Sequence, residues 1–325
     1  MKIRLHFDIK LQEPILLAGW PGMGNVGVGA VDYLRRHLKA QEFGEIDMHE
    51  HFTPEAIVVE QGIAKLPKVP GNAFAFSRSP DLVFFVSEAQ VSGPAGLALT
   101  NLMVDLAEKF GVSRIFTCAA FAMPIGYRER TRVLGVATNE SLRDSLIPHG
   151  AEILPQGMIS GLNGLLLGVA GARGIGAACL LATIPQYAMS LPNPRGSRAL
   201  VEALGSLLGV ENDLSDFEAP VKQMDAVMSQ IEERMRSAFE SRESAPGESE
   251  EEGMGEAAES GPVGEEEVPG YVMKRLEELF LATARDRANA GRLKDELDRW
   301  GLFKLYEDRF LDLFRGGREG GEDPT

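Results

Sequence analysis

Along residues 1–210, short apolar runs alternate with segments whose apolar positions recur every three or four residues. The runs at 3–7, 15–19, 56–60, 73–77, 82–87, 114–118 and 175–182 predict strands. The periodic segments at 26–38, 95–110, 140–147, 160–172 and 195–208 predict helices; in the second, Leu97, Leu102, Leu106 and Phe110 fall near helical spacing. "DLVFFVSE" is almost wholly apolar, so it should be a strand buried on both faces, as in a mostly parallel sheet. Strands alternating with helices over residues 1–212 imply an α/β core domain.

The pattern changes after residue 212. Phe217, Val221, Met224, Met228, Ile231 and Met235 mark 213–240 as one long amphipathic helix that Pro220 could break. Residues 241–268 have little that could form a core and read as an acidic, disordered linker. Helical order should resume over 269–315, with Leu276, Leu279 and Phe280 on one face, before a loose tail at 316–325. Trp300, Phe303, Tyr306, Phe310 and Phe314 form an aromatic row that must dock on the core, another subunit or a partner.

Composition narrows the class. The chain has 325 residues, enough for one large or two moderate domains, and its 44% hydrophobic and 25% charged content is that of a globular protein. Ten Glu against one Arg in 241–268 supply −9 of the net −15. Neither that segment nor the rest has the basic stripe that nucleic-acid binding needs. No apolar run is long enough for a membrane helix, and the N-terminus alternates like a strand without a signal-peptide core, so a cytoplasmic location is expected. Cys118 and Cys179 sit in apolar runs and should be buried small hydrophobes.

The candidate chemistry centres on "GWPGMGNVGVGAVDYL". Gly22, Gly24 and Gly27 satisfy G-x-G-x-x-G between a predicted strand and a predicted helix, where backbone amides attract phosphate. A dinucleotide site would also want an acidic residue about twenty positions on, and Glu50 lies in range. Against that reading, Trp20-Pro21 restricts the turn, and "EIDMHEHF" makes a poor central strand. A P-loop is excluded, because no Gly-Lys-Ser/Thr follows. The other reading is that Gly22 and Gly24 allow a tight turn while Gly27 and Gly29 let the helix approach the sheet closely. The residues favour it and leave room for a shallow ligand pocket. That pocket would take Pro21, Gly22, Gly24, Asn25 and Gly27, with Glu88 and Gln90 past the most buried strand and Arg128 from an arginine-rich loop.

The other polar groups read as structural. Ser92, Thr138 and Asn139 are expected to cap helices, and Ser160 lacks the G-x-S-x-G frame of a hydrolase. His49 and His51 read as a surface pair rather than metal ligands. No metal or cofactor is expected.

Three linked segments carry a family resemblance: "AGWPGMGNVGVGAVDYL", "MISGLNGLLLGVAGARGIGAACLLATIPQY" and "LPNPRGSRALVEAL". Over about residues 10–210 their order and spacing resemble the proteasome assembly chaperone 2 family. The resemblance implies a three-layer α/β/α core similar to nucleoside phosphorylases, with a C-terminal helical extension. It also implies self-association or assembly with proteasome-like protein subunits, and no established catalytic residues. Some relatives are described as ATP-grasp-like, but no Lys and carboxylate set here supports nucleotide-driven ligation. In archaeal relatives a terminal hydrophobic-Tyr-x tripeptide docks into the proteasome ring. Asp323-Pro324-Thr325 lacks it, so docking by that route is not expected.

The expectation is therefore a non-enzymatic assembly or interaction protein. Its contact surfaces would be Met224, Met228 and Ile231 on the long helix, and Trp300, Phe303 and Phe310 near the end. The alternative is a protein or enzyme that binds a nucleotide, nucleoside or phosphate in the pocket above.

Overall fold

A computed structural model describes residues 1–49, 51, 52, 54 and 56–243, and beyond them 276, 279, 280, 283, 289–299, 302, 303, 306, 309, 310 and 313. The chain forms two compact units, residues 1–235 and 236–325.

The first unit is built on a nine-stranded sheet. Its strands are β1 (Lys2–Leu5), β2 (Ile15–Gly19), β3 (Gln41–Asp47), β6 (Asn72–Arg78), β7 (Asp81–Ser87), β8 (Arg114–Met123), β9 (Val133–Ala137), β10 (Ala151–Ile153) and β11 (Gly176–Pro185). They lie in the order β1-β3-β6-β7-β2-β8-β11-β9-β10. The central run β7-β2-β8-β11 is parallel, and β1, β3 and β6 join it antiparallel. A separate hairpin, β4 (Val58–Glu60) and β5 (Ile63–Lys65), pairs only with itself.

Side-chain alternation along the central strands makes two cores. Leu17, Phe84, Phe116 and Leu180 face one side, against α1 (Val26–His37), α3 (Glu140–Leu146) and α5 (Pro194–Leu208). Leu16, Phe85, Ile115 and Leu181 face the other, against α2 (Gly93–Lys109) and α4 (Gly161–Ala172). The architecture is thus the expected three-layer α/β/α arrangement. Cys118 and Cys179 are buried and unpaired in opposite layers. Burial pushes the Cys179 thiol up to about 12 and also raises Cys118.

Three strands of the large sheet were not expected. β3 is one: Phe43 and Ile46 point inward, while Glu45 and Asp47 pair with Arg4 of β1 on the solvent side. A register shift between Glu42 and Gly44 hides the alternation. β9 and β10 are short and lie toward one edge.

A 3-10 turn, Leu214–Phe217, leads into α6 (Glu218–Glu243). Pro220 does not break this helix, because it sits in the first turn, where a backbone N–H has no helical partner. In the second unit, Leu276, Phe280, Leu293, Leu297, Leu302 and Phe310 bury one another, and α7 (Ala290–Arg299) contributes two of them. Among the described residues, no helix is long and apolar enough to cross a membrane.

Candidate functional site

The glycine turn follows β2 at the carboxyl ends of the central strands. Gly24 has φ of 61° and Asn25 has φ of 51°, so the chain reverses through two left-handed residues before α1 starts. Two of the amides a phosphate would need, those of Gly24 and Asn25, are already used. Gly24 N–H donates to Met189 O at 2.8 Å, and Asn25 N–H donates to Gly22 O at 2.9 Å. Asn193 N–H donates back to Gly24 O at 2.8 Å, which locks the turn to the "LPNPRG" loop. A Cβ on Gly24 would lie 2.9 Å from Asn193 Cβ. At Gly27 an added Cβ would lie 1.9 Å from Cys118 O, so here α1 touches the backbone of β8.

Asn193 was missed as a site residue, although it stands in one of the three signature segments. Its Oδ1 accepts from Gly196 N–H at 2.8 Å and caps α5. Asn193→Ala is expected to cost about 0.5–2 kcal/mol and Asn193→Asp much less, read as shifts in thermal midpoint.

Gln90 is a structural bridge. Its Nε2 donates to Pro21 O in the turn, and its Oε1 accepts from Leu162 N–H at the start of α4, at 3.2 Å. Glu88 accepts from Gly71 N–H at 2.8 Å. Pro21, Asn25 and Glu88 do line one open depression of about 520 Å³, shared with Asp32, Arg35 and Glu42. Gly22, Gly24, Gln90 and Gly27 do not line it, and neither does Arg128. Arg128 instead lies over the Tyr127 ring, and its Nε donates to Tyr127 Oη at 2.7 Å.

The expected caps divide. Asn139 Oδ1 accepts from Leu142 N–H at 2.9 Å, whereas Thr138 Oγ1 accepts from Ala177 N–H in β11. His49 and His51 lie past the end of β3, and Glu50 lies outside the described residues. Among the described residues, no group of three or more His, Cys, Asp or Glu could hold a metal ion.

The first half of α6 is fastened to the core. Met228 is buried with Tyr127 and Ala188, and Met224, Tyr187 and Leu191 pack around them. Arg195 pairs with Asp225, and Glu232 accepts from Tyr127 N–H at 3.0 Å and from Tyr187 Oη. Burial, and then the bond to Glu232, raise the Tyr187 phenol above its usual pKa. Ile231 is half-buried on the same helix. Asp225 and Glu232 carry no motif, and an amphipathic pattern does not reveal which polar residues clamp a helix. Phe310 is buried and Phe303 half-buried within the second unit, their rings 5.5 Å apart; Trp300 lies outside the described residues.

Known proteins share this architecture. PbaB of Pyrococcus furiosus, described as an archaeal proteasome activator, superposes with a TM-score of 0.61 at 25% identity, over 71% of this chain and 98% of its own. PbaA of the same organism, described as an archaeal homolog of proteasome-assembly chaperone, gives a TM-score of 0.57 at 21% identity, over 74% and 96%. The uncharacterized protein MJ1210 of Methanocaldococcus jannaschii is 25% identical over 236 residues, 71% of this chain and 89% of its own length. The PAC2 family profile matches residues 16–232, which hold the glycine turn, the Gln90 bridge, Asn193 and the anchored half of α6. The chain belongs to the PAC2 family.

Proposed function

We propose that this chain is a non-enzymatic, assembly-chaperone-like protein that works through protein–protein surfaces. It associates with itself and with proteasome-like subunits. Family membership supports this reading, as does the description of PbaB and PbaA as a proteasome activator and a chaperone homolog. The observation that carries it lies at the glycine turn. The Gly24 and Asn25 amides are spent inside the fold, while Met23 and Met189 stay exposed on the two loops that the Gly24–Met189 bond ties together. Two flexible thioethers on a rigid support make a surface that adapts to another protein. Ile231 would extend such a contact, with Met224 and Met228 holding the helix that carries it, and Phe303 of the second unit would offer a contact of its own.

The test mixes the purified full-length chain with purified proteasome subunits from the same organism and follows sedimentation. A saturable complex is expected, weakened by Met23→Glu with Met189→Glu. Thermal melts with ATP, adenosine and inorganic phosphate are expected to show no shift. A saturable melt shift that Glu88→Gln abolishes, with no complex at any subunit concentration, would overturn the proposal.

A further inference from the structure

The β4–β5 hairpin has no counterpart among the features already assigned to function. It carries Ile57, Val59, Ile63 and Leu66, whose exposures are 58%, 62%, 62% and 75%, and Val58 is exposed beside them. Adjacent residues of a strand point to opposite faces, so exposure of both Val58 and Val59 means that neither face of the hairpin is covered. The strands pair with each other and not with the large sheet. An isolated two-stranded hairpin is marginal in water, and five open aliphatic side chains on one are costly.

The hairpin is nonetheless held in place at its base. Gly71 N–H donates to Glu88 Oε2 at 2.8 Å, and Glu88 N–H donates to Gly71 O at 2.9 Å, at the carboxyl end of β7. Pro67 and Pro70 stiffen the connection from β5 to β6, and Lys65 pairs with Glu60 at 2.6 Å. The arm therefore projects from a fixed point.

Two residues after Glu88, at Gln90, a groove of about 690 Å³ opens between α2 and α4. Gly93, Gly96, Gly161, Gly164, Leu165 and Gly168 line it, and among the described residues no charged side chain does. Among the described residues nothing lies within 4 Å of where a Cβ on Gly168 would sit, so the groove is open at that end. Arm base and groove mouth thus occupy the same end of the sheet.

We propose that the arm of one chain seats in the α2–α4 groove of a second copy, and that the exchange is reciprocal about a two-fold axis. This rests on the self-association in the proposed function and names the surfaces that perform it. The chemistry matches: five aliphatic side chains, four of them β-branched, against an uncharged, glycine-lined channel. So does the size. The five arm side chains offer about 300 Å² of apolar surface. Each chain both gives an arm and receives one, so an exchanged pair covers on the order of 600 Å² per partner, at the lower end of specific interfaces. An isologous contact of this kind closes on itself and does not propagate.

The experiment uses light-scattering mass and a short bismaleimide cross-linker on the full-length chain. Cys118 and Cys179 are buried, so introduced thiols are the ones labelled. Val59→Asp with Ile63→Asp is expected to bring the mass to that of the 35.3 kDa single chain with the circular dichroism spectrum unchanged, because both positions are exposed. Chains carrying Ile63→Cys are expected to link to chains carrying Leu165→Cys in a mixture, and neither variant to link to itself. Self-linking of the Ile63→Cys chain would show arm meeting arm and overturn the proposal. An oligomer whose mass ignores the arm charges and gives no mixed product would overturn the arm while leaving self-association standing. A single-chain mass for the unaltered protein at every concentration would overturn both.

Discussion

Gly27→Ala is expected to remove most of the fold's stability, while Gly22→Ala, in the same turn, leaves it within about 0.5 kcal/mol. At Gly27 the new Cβ would sit 1.9 Å from Cys118 O and 2.5 Å from its carbonyl carbon. Both are backbone atoms of a central strand, so no rotamer change relieves the clash. Helix α1 would have to lift off β8 and open the layer around Val31, Leu34 and Phe116. Overpacking costs about 1–3 kcal/mol where side chains can adjust, and a backbone collision should exceed that range. Against a total of about 5–15 kcal/mol, the loss is severe. At Gly22 the new Cβ would meet Gln90 Nε2 at 3.7 Å, and φ of −169° is open to any residue. Urea midpoints of the two variants check the contrast. Equal midpoints would mean that the glycine spacing does not serve backbone contact.

A comparably large effect is expected one turn from the end of the anchored part of α6. Met228 is 2% exposed and packed on Tyr127 and Ala188, while its neighbour Val227 is 37% exposed. Met228→Asp forfeits about 2–5 kcal/mol of buried contact, as truncation of a core methionine does, and adds the cost of an unpaired carboxylate. Helix α6 should come off the core rather than bury the charge, which limited proteolysis reads as new cleavage within 218–235. Val227→Asp should leave the cleavage pattern unchanged. The same pair separates support from contact: loss of subunit binding in the Val227 variant, with α6 still docked, would place the partner on that outer face.

Much of this molecule is legible in its sequence. The helices 26–37, 161–172 and 194–208 stand close to where apolar periodicity puts them, because each has one face against a sheet. β2 and β7 were legible for the complementary reason, burial on both faces. β3 escaped because Glu42, Glu45 and Asp47 occupy its open side and a register shift interrupts the period. At the candidate site the glycines were visible as backbone devices, but their neighbours were not. Nothing local in "LPNPRG" says that Asn193 closes on Gly24, and nothing in "SEAQVSG" says that Gln90 spans from Pro21 to Leu162. Arg128 was grouped with the turn on charge alone, and charge does not fix direction; its own Tyr127 holds it elsewhere.

The knot between Gly24 and Asn193 also constrains history and birth. A methyl group at the first position would strike the β-carbon of the second, so drift at either must be answered at the other, and aligned relatives should show the two changing together. A ribosome delivers the turn long before its counterpart. The nascent chain therefore has to hold that bend unfastened until α5 emerges, and a truncation ahead of Asn193 should yield a polypeptide that chaperones keep and proteases find.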